Sequence, residues 1–400
     1  MIDPHCSKNS LPRLRRRAGA GALVASMALA WAGAAVAEDG VSANEIHIGT
    51  SLAVTGPIAV CASVGDGASA YFKHVNDAGG VNGRKIKFTV LDDAYSTQRA
   101  IGNVRRLMSQ DKVFAIFSGC GTATGAAVLS VVEKESIPYL FPQVGLDALV
   151  QPVKKNVYSI LPLYGQQLAA AIDYVAKSQQ PKTAAISMIN IAGNEVWTAV
   201  IKDKLKALNI QLVDEQLIEV TSPEKAPFVT QMKGKNPDMV VMVDSAPGAA
   251  RYVIEMQRQG WKPKVITGIN TLTDESFLRA AGNAADNLVV APAATLPPTD
   301  PKAKECVDAL AAYDKALQPS GFTMFGCLGA KMFVDALRRV GPEPTRAALL
   351  AQLDKTSGFD SGFSGPISFG PSVHQGLTAM YPIAVQGGQF KVMGAPVPLQ

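Results

Sequence analysis

From residue 45 to residue 143 the chain alternates short strands with helices, and the loops between them are rich in glycine. Glu45–Leu52 alternates through Ile46 and Ile48 as a strand does, and Thr55-Gly56-Pro57 breaks it. Residues 67–78 carry Ala68, Tyr71, Phe72 and Val75 at helical spacing. Gly79-Gly80 ends that helix, because glycine tolerates the left-handed conformation of a helix terminus. The turn Val81-Asn82-Gly83-Arg84 leads into a strand at 85–91, closed by Asp92-Asp93. Residues 97–110 place Ile101, Val104, Leu107 and Met108 on one helical face. Residues 113–117 are wholly apolar, as expected of a strand covered on both faces. A loop at 118–124, a helix at 125–135 and a strand at 138–141 follow. This alternation predicts an α/β fold with a doubly wound parallel sheet. Right-handed crossovers then gather the loops 53–64, 92–97, 118–124 and 141–147 along one sheet edge.

The pattern recurs further along. Helices at 168–177, 194–207, 226–234 and 248–259 alternate with strands at 183–188, 211–220, 239–243 and 265–267, which predicts a second α/β sheet. The stretch 292–300, rich in proline and threonine, reads as a linker. Helices at 302–317, 325–340 and 345–353 come next, then strands at 367–369 and 381–385. At 400 residues the chain is too long for one core and suits two lobes.

The N-terminus reads as an export signal. Arg13, Arg15, Arg16 and Arg17 precede an apolar run at 18–33, and Ala35-Val36-Ala37 is a small-x-small cleavage pattern. Cleavage after Ala37 would start the mature chain at Glu38. Lys8 and the four arginines against Asp3 carry +4 of the chain's net +5. The mature chain is therefore near neutral, which argues against nucleic acid as a partner. An exported chain meets an oxidising compartment, so Cys61, Cys120, Cys306 and Cys327 are disulfide candidates. Of the three pairings, Cys61 with Cys120 and Cys306 with Cys327 would each staple one locality; four buried thiols are the alternative. Metal binding is not expected, since the cysteines and His47, His74 and His374 lack ligand spacing.

Catalytic motifs are missing. The sequence has no Gly-x-Ser-x-Gly elbow, no phosphate-binding Walker loop and no His-Glu-x-x-His helix. Gly119, Gly121 and Gly125 lack dinucleotide-fingerprint spacing. Asp92-Asp93 is the one carboxylate pair placed in a loop, and strand-end turn work explains it better than chemistry. No cofactor and no enzymatic activity are expected.

At Thr55-Gly56-Pro57, at 76–86 (Asn76-Asp77-Ala78-Gly79-Gly80-Val81-Asn82-Gly83-Arg84-Lys85-Ile86) and at Asp92-Asp93 the chain resembles a known family. It is similar to the periplasmic solute-binding proteins of branched-chain amino acid ABC importers, the Leu/Ile/Val-binding group. The likeness continues through Asp111-Lys112-Val113, Ile137-Pro138 and Asn236-Pro237-Asp238 and covers nearly the whole mature chain. It implies a type I periplasmic-binding-protein fold, two doubly wound lobes with a hinged cleft. The lobes would comprise 43–162 with 291–374, and 163–290 with 375–400. The resemblance further implies a periplasmic monomer that holds a small molecule between its lobes and presents it to an inner-membrane ABC permease. A receptor for a membrane kinase or chemoreceptor is the alternative.

Within that frame the ligand-binding positions are Cys120, Gly121, Thr122, Gln143, Val144, Gly145, Ala192, Asp244 and Asn270. Cys120-Gly121-Thr122 opens a helix, whose free N–H groups suit an anion. The sequence departs from the family where the ligand sits. Gly121 and Gly145 replace the Ser or Thr residues that receive the α-carboxylate. Asn270 stands where an acidic residue pairs the ammonium, and Ala192 and Ser245 stand where aromatic residues close the cleft. Asp244 offers either the missing charge or a helix cap before Gly248. A buried ammonium without a carboxylate is costly, so the solute expected is a branched-chain amino acid or a related aliphatic or aromatic compound lacking the usual ammonium contact, and a free α-amino acid is not the best fit.

Overall fold

The computed structural model describes residues 38–220, 222 and 224–399. The expected signal at 1–37 and its cleavage after Ala37 lie outside the described residues. The chain runs β1 (Glu45–Leu52), α1 (Ala62–Asp77), β2 (Lys85–Asp92), α2 (Thr97–Ser109), β3 (Ile116–Phe117), α3 (Thr122–Glu135), β4 (Tyr139–Leu140) and β5 (Val157–Tyr158). These strands form one parallel sheet in the order β2-β1-β3-β4-β5. The order reverses beside β1, between β2 and β3, the kind of switch point at which open α/β sheets bind ligands.

The chain then crosses into α4 (Tyr164–Gln179), β6 (Thr183–Ile189), α5 (Asn194–Ala207), β7 (Gln211–Ile218), α6 (Ala226–Lys235), β8 (Met239–Val243), α7 (Ala246–Arg258), β9 (Val265–Gly268), α8 (Glu275–Ala281) and β10 (Val290–Ala293). The second parallel sheet is ordered β7-β6-β8-β9. A return passage supplies α9 (Lys304–Tyr313), α10 (Gly321–Val340) and α11 (Arg346–Leu353), and α9 and α10 pack on α1. The chain ends in β11 (Ala379–Gln386), β12 (Gln389–Val392) and β13 (Val397–Pro398). The crossing segments lie side by side, since Gly376 N–H donates to Ser159 O at 2.8 Å. This is the two-lobed, mixed α/β architecture of a type I periplasmic-binding fold.

Apolar periodicity decides the interior. Phe72 of α1 meets Phe117 of β3 edge to face at 5.2 Å, and Phe88 and Phe333 complete the cluster. Such edge-to-face aromatic pairs add to simple burial. Among the described residues no helix is long and apolar enough to cross a membrane.

Several boundaries differ from the sequence expectation. The stretch 292–300 is not a free linker, because β10 pairs with β11 antiparallel, Val290 opposite Ala384 and Ala293 opposite Tyr381. Residues 367–369 are not a strand; Ile367 alone makes isolated bridges, to Phe359 and Leu377. α10 starts four residues early, where Ser320 and Thr323 cap each other reciprocally. α3 starts at Thr122 instead of 125, and that shift matters for the site.

Candidate ligand-binding cleft

Loops leaving the C-terminal ends of β1, β3 and β4 face loops leaving β6, β8 and β9 across a cavity. The cavity offers about 60 Å³ to the centres of water-sized groups, room for about five of them. Its wall is mostly apolar: Ile58, Tyr95, Tyr164, Ile189, Ile191 and Phe322 carry it. Six expected site residues also line it, Cys120, Gly121, Thr122, Gln143, Asp244 and Asn270.

The first-lobe wall is built around the start of α3. Gly121 is its N-cap, with φ of 102°, and a Cβ there would come 2.9 Å from both Ile58 and Tyr95. Glycine is therefore required by backbone conformation and by the closeness of two wall side chains. The first amide bonded within the helix is that of Gly125, to Gly121 O at 2.8 Å. The amides of Thr122, Ala123 and Thr124 stand ahead of it, at the positive end of the helix dipole. Such an end is an anion-binding surface. A disulfide joins Cys61 to Cys120, with Cα atoms 5.6 Å apart, and ties the entry of α1 to the entry of α3. The second disulfide joins Cys306 of α9 to Cys327 of α10. Both pairings are the local ones.

Three expected positions stand off the cavity wall. Val144 is buried under α3, where a Cβ on Gly125 would come 2.7 Å from its Cγ2. Gly145 is covered by the Tyr164 ring, since a Cβ there would lie 2.2 Å from Tyr164 Cδ1. Ala192 is exposed in the turn before α5. The place the resemblance assigns to a threonine at 145 is thus filled by a phenol. Burial pushes Tyr164 up to about 12, against contacts from the Thr122 hydroxyl and the Gly145 amide. It faces the cleft as a neutral ring.

The second-lobe wall carries the charge. Asp244 is the one carboxylate lining this cavity among the described residues. Its Oδ2 accepts from Lys225 Nζ at 3.2 Å, and both side chains are more than nine-tenths buried. Its Oδ1 accepts from the Ser245 amide at 2.7 Å and from the Ser245 hydroxyl at 3.3 Å. Burial pushes the Asp244 carboxyl up, while Lys225 and the Ser245 donors pull it down. Only glycine at 248 admits this carboxylate, because a Cβ there would sit 2.0 Å from Asp244 Oδ1. The helix-cap role falls to Ser245, whose Oγ accepts from the Gly248 amide. Asp244 is therefore neither a free counter-charge nor a cap. It neutralises a buried lysine.

Two primary amides complete the polar wall. Gln143 and Asn270 are buried, and Gln143 Oε1 and Asn270 Oδ1 have no hydrogen-bond partner within the protein. Gln167 of α4 fixes the Asn270 loop by accepting its amide at 3.0 Å. These oxygens are buried out of reach of water, and a buried polar group without a partner is costly.

Asp92 and Asp93 do turn work. Burial opposes it, but the Thr55 hydroxyl and the amides of Ala94, Thr55 and Val54 bring Asp92 down to about 2. Asp93 accepts from Ser51 Oγ and the Tyr95 amide. Through that turn Asp93 aims Tyr95 at the cavity. Sequence reading missed Tyr95, Tyr164, Phe322 and Lys225. Tyr95 stands two residues after Asp93, within the turn that the Asp-Asp pair builds. Lys225 lies 19 residues before its partner, and nothing in the spacing ties the two.

A cavity between two doubly wound lobes, walled by strand-end loops and a helix N-terminus, defines a two-lobed binding protein. The sequence profile described as periplasmic binding protein matches residues 45–389, and the chain belongs to that family. A "Leu/Ile/Val-binding protein homolog 7" of Brucella abortus is 25% identical over 335 residues, covering 79% of this chain and 81% of the relative. An "Amino acid binding protein" of Pseudomonas aeruginosa is 25% identical over 287 residues, covering 70% of this chain and 75% of its own. Solved structures share the fold. A branched-chain amino acid ABC transporter protein of Thermus thermophilus with bound valine superposes with TM-score 0.81 at 19% identity, covering 90% of this chain and 97% of its own. A fatty acid ABC transporter substrate-binding protein of Thermomonospora curvata superposes with TM-score 0.79 at 20% identity, covering 91% and 95%.

Proposed function

We propose that this protein captures a small carboxylate in the periplasm, without an ammonium next to that carboxylate, and delivers it to an inner-membrane permease. It acts as a monomer after loss of residues 1–37. The carboxylate sits on the amides of Thr122, Ala123 and Thr124, and the apolar body lies against Ile58, Tyr95, Ile189 and Phe322. One observation carries the ligand class: the cavity's carboxylate, Asp244, is already saturated by Lys225 and Ser245. An α-ammonium brought into this cavity loses its water and gains no free counter-charge. The fold tolerates such a change of ligand, since structures sharing it are described with bound valine and as a fatty acid transporter component. A carboxylate is the part those ligands have in common.

Calorimetric titration of ligand-free protein with leucine, hexanoate and phenylacetate tests the reading. Either acid binds at least tenfold more tightly than leucine, a gap of about 1.4 kcal/mol. Leucine binding more tightly than both acids sinks it.

A further inference from the structure

Beside the cleft the chain turns through two consecutive non-glycine residues in the left-handed region, Ala94 with φ of 48° and Tyr95 with φ of 63°. Such backbone is costly for a residue with a Cβ and persists only where its surroundings fix it. Two carboxyls fix it here. Asp92 Oδ1 accepts from the Ala94 amide at 2.9 Å, and Asp93 Oδ1 accepts from the Tyr95 amide at 2.8 Å. The turn delivers the Tyr95 ring to the first-lobe wall of the cavity, against Gly121, where a Cβ would come 2.9 Å from Tyr95 Cε2.

The hydroxyl end of that ring reaches the start of α3. Burial pushes the Tyr95 phenol up, with the Ala123 amide opposing and Asp93 adding to the rise, so the hydroxyl keeps its proton at neutral pH. The group that meets the hydroxyl is the Ala123 amide, itself a donor, and among the described residues nothing accepts the phenol proton. Asp93 does not, since its oxygens take the Tyr95 amide and Ser51 Oγ. Gln143 Oε1 and Asn270 Oδ1 do not, since they have no partner. The neutral Tyr164 phenol stands close enough to be raised further by Tyr95. Donors therefore gather at one end of the cavity, and a gathering of donors suits an oxyanion.

We propose that Tyr95 is a specificity-determining residue: its hydroxyl accepts from the Ala123 amide and donates its proton to the carboxylate of the solute. This rests on the placement of the carboxylate proposed above and adds the side chain that selects for it. A carboxylate draws a charge-assisted bond from the hydroxyl, about twice as strong as the neutral bond that a carboxamide oxygen draws. Tyr95 thus favours an acid over its uncharged amide, while its ring serves the apolar wall.

Calorimetry on ligand-free protein compares phenylacetate and hexanoate with phenylacetamide and hexanamide, the amides being read by competition against the acids. Tyr95→Phe removes the hydroxyl and keeps the ring. It lowers the acid-to-amide affinity ratio of the tighter acid roughly fivefold or more. A role in packing alone weakens acid and amide alike and leaves that ratio where it was. Tyr95→Met decides the matter on the same ratio if Tyr95→Phe loses its native circular dichroism. A smaller fall in the ratio overturns the proposal and leaves the carboxylate reading standing. So does tighter binding of the acid by the variant, which makes the hydroxyl a mere cover for the Ala123 amide. Leucine binding to the wild-type protein more tightly than both acids overturns both readings, and so does a failure of both acids to bind.

Discussion

Lys225→Met removes a buried charge and keeps most of the side-chain stem. At the observed separation of 3.2 Å, Coulomb's law with an effective dielectric near 20 gives an attraction of about 5 kcal/mol. Asp244 cannot regain water, because its side chain is 7% exposed. Breaking one side of a buried pair in this way costs roughly 3–5 kcal/mol. The penalty depends on pH. Asp244 is already raised by burial in the presence of Lys225, and without the lysine it rises further. A carboxyl raised above its unfolded value helps folding at acid pH and costs stability as pH climbs through the interval between the two values. The variant is therefore weakest relative to wild type near pH 7 and recovers toward pH 5. Urea unfolding followed by circular dichroism at both pH values reads the midpoint and slope. Adding Asp244→Asn restores most of the loss, and the double-mutant cycle yields the pair's coupling. A loss below about 1 kcal/mol at pH 7, or a loss unchanged at pH 5, refutes the claim that Asp244 is saturated by Lys225.

Burial, with Asp274 nearby, pushes Glu275 up to about 8, against backbone amides and Arg279. Stability should fall as pH rises from the ordinary glutamate range to about 8, and Glu275→Gln should flatten that slope in urea midpoints taken across the interval. Gly145→Thr, which brings back the residue type the resemblance assigns there, should not create leucine binding by calorimetry. It should cost about 1–3 kcal/mol in urea unfolding, because the new Cβ meets Tyr164. The disulfides close loops of 59 and 21 residues. Replacing each pair by serines should cost about 4 and about 3 kcal/mol respectively by chain entropy, read from urea unfolding. The loss of Cys61–Cys120 should also weaken ligand binding.

The scaffold was legible because local chemistry writes it. Ile46 and Ile48, the helical row of Tyr71, Phe72 and Val75, and the Gly79-Gly80 stop each act within a few residues. Apolar periods fix which face is buried, and glycine fixes where helices end. Segments that depend on distant partners were not legible. Pro292 and Ala293 read as the start of a proline-rich linker until Pro382 and Tyr381 are beside them. The hairpin from β11 to β12 turns at Gly387-Gly388, a turn signal that is local in the sequence.

The cleft divides along the same line. The anion-binding end of α3 could be read because Gly121 and the helix after it are neighbours in sequence. The counter-charge could not. In sequence Asp244 is an unassigned acid at a strand end, and the resemblance leaves it two roles. Ser245 takes the cap and Lys225 the charge, and Lys225 does so from the start of α6, an element that does not line the cavity. Gly145 shows the same physics in reverse. Its lost hydroxyl looks like room for ligand, yet Tyr164 from α4 occupies that room. On the proposed reading, a departure from family residues marks a change of ligand chemistry. Only the residues packed behind those positions say in which direction. On the proposed reading, Lys225 behind Asp244 and Tyr164 behind Gly145 remove an ammonium site from the cavity.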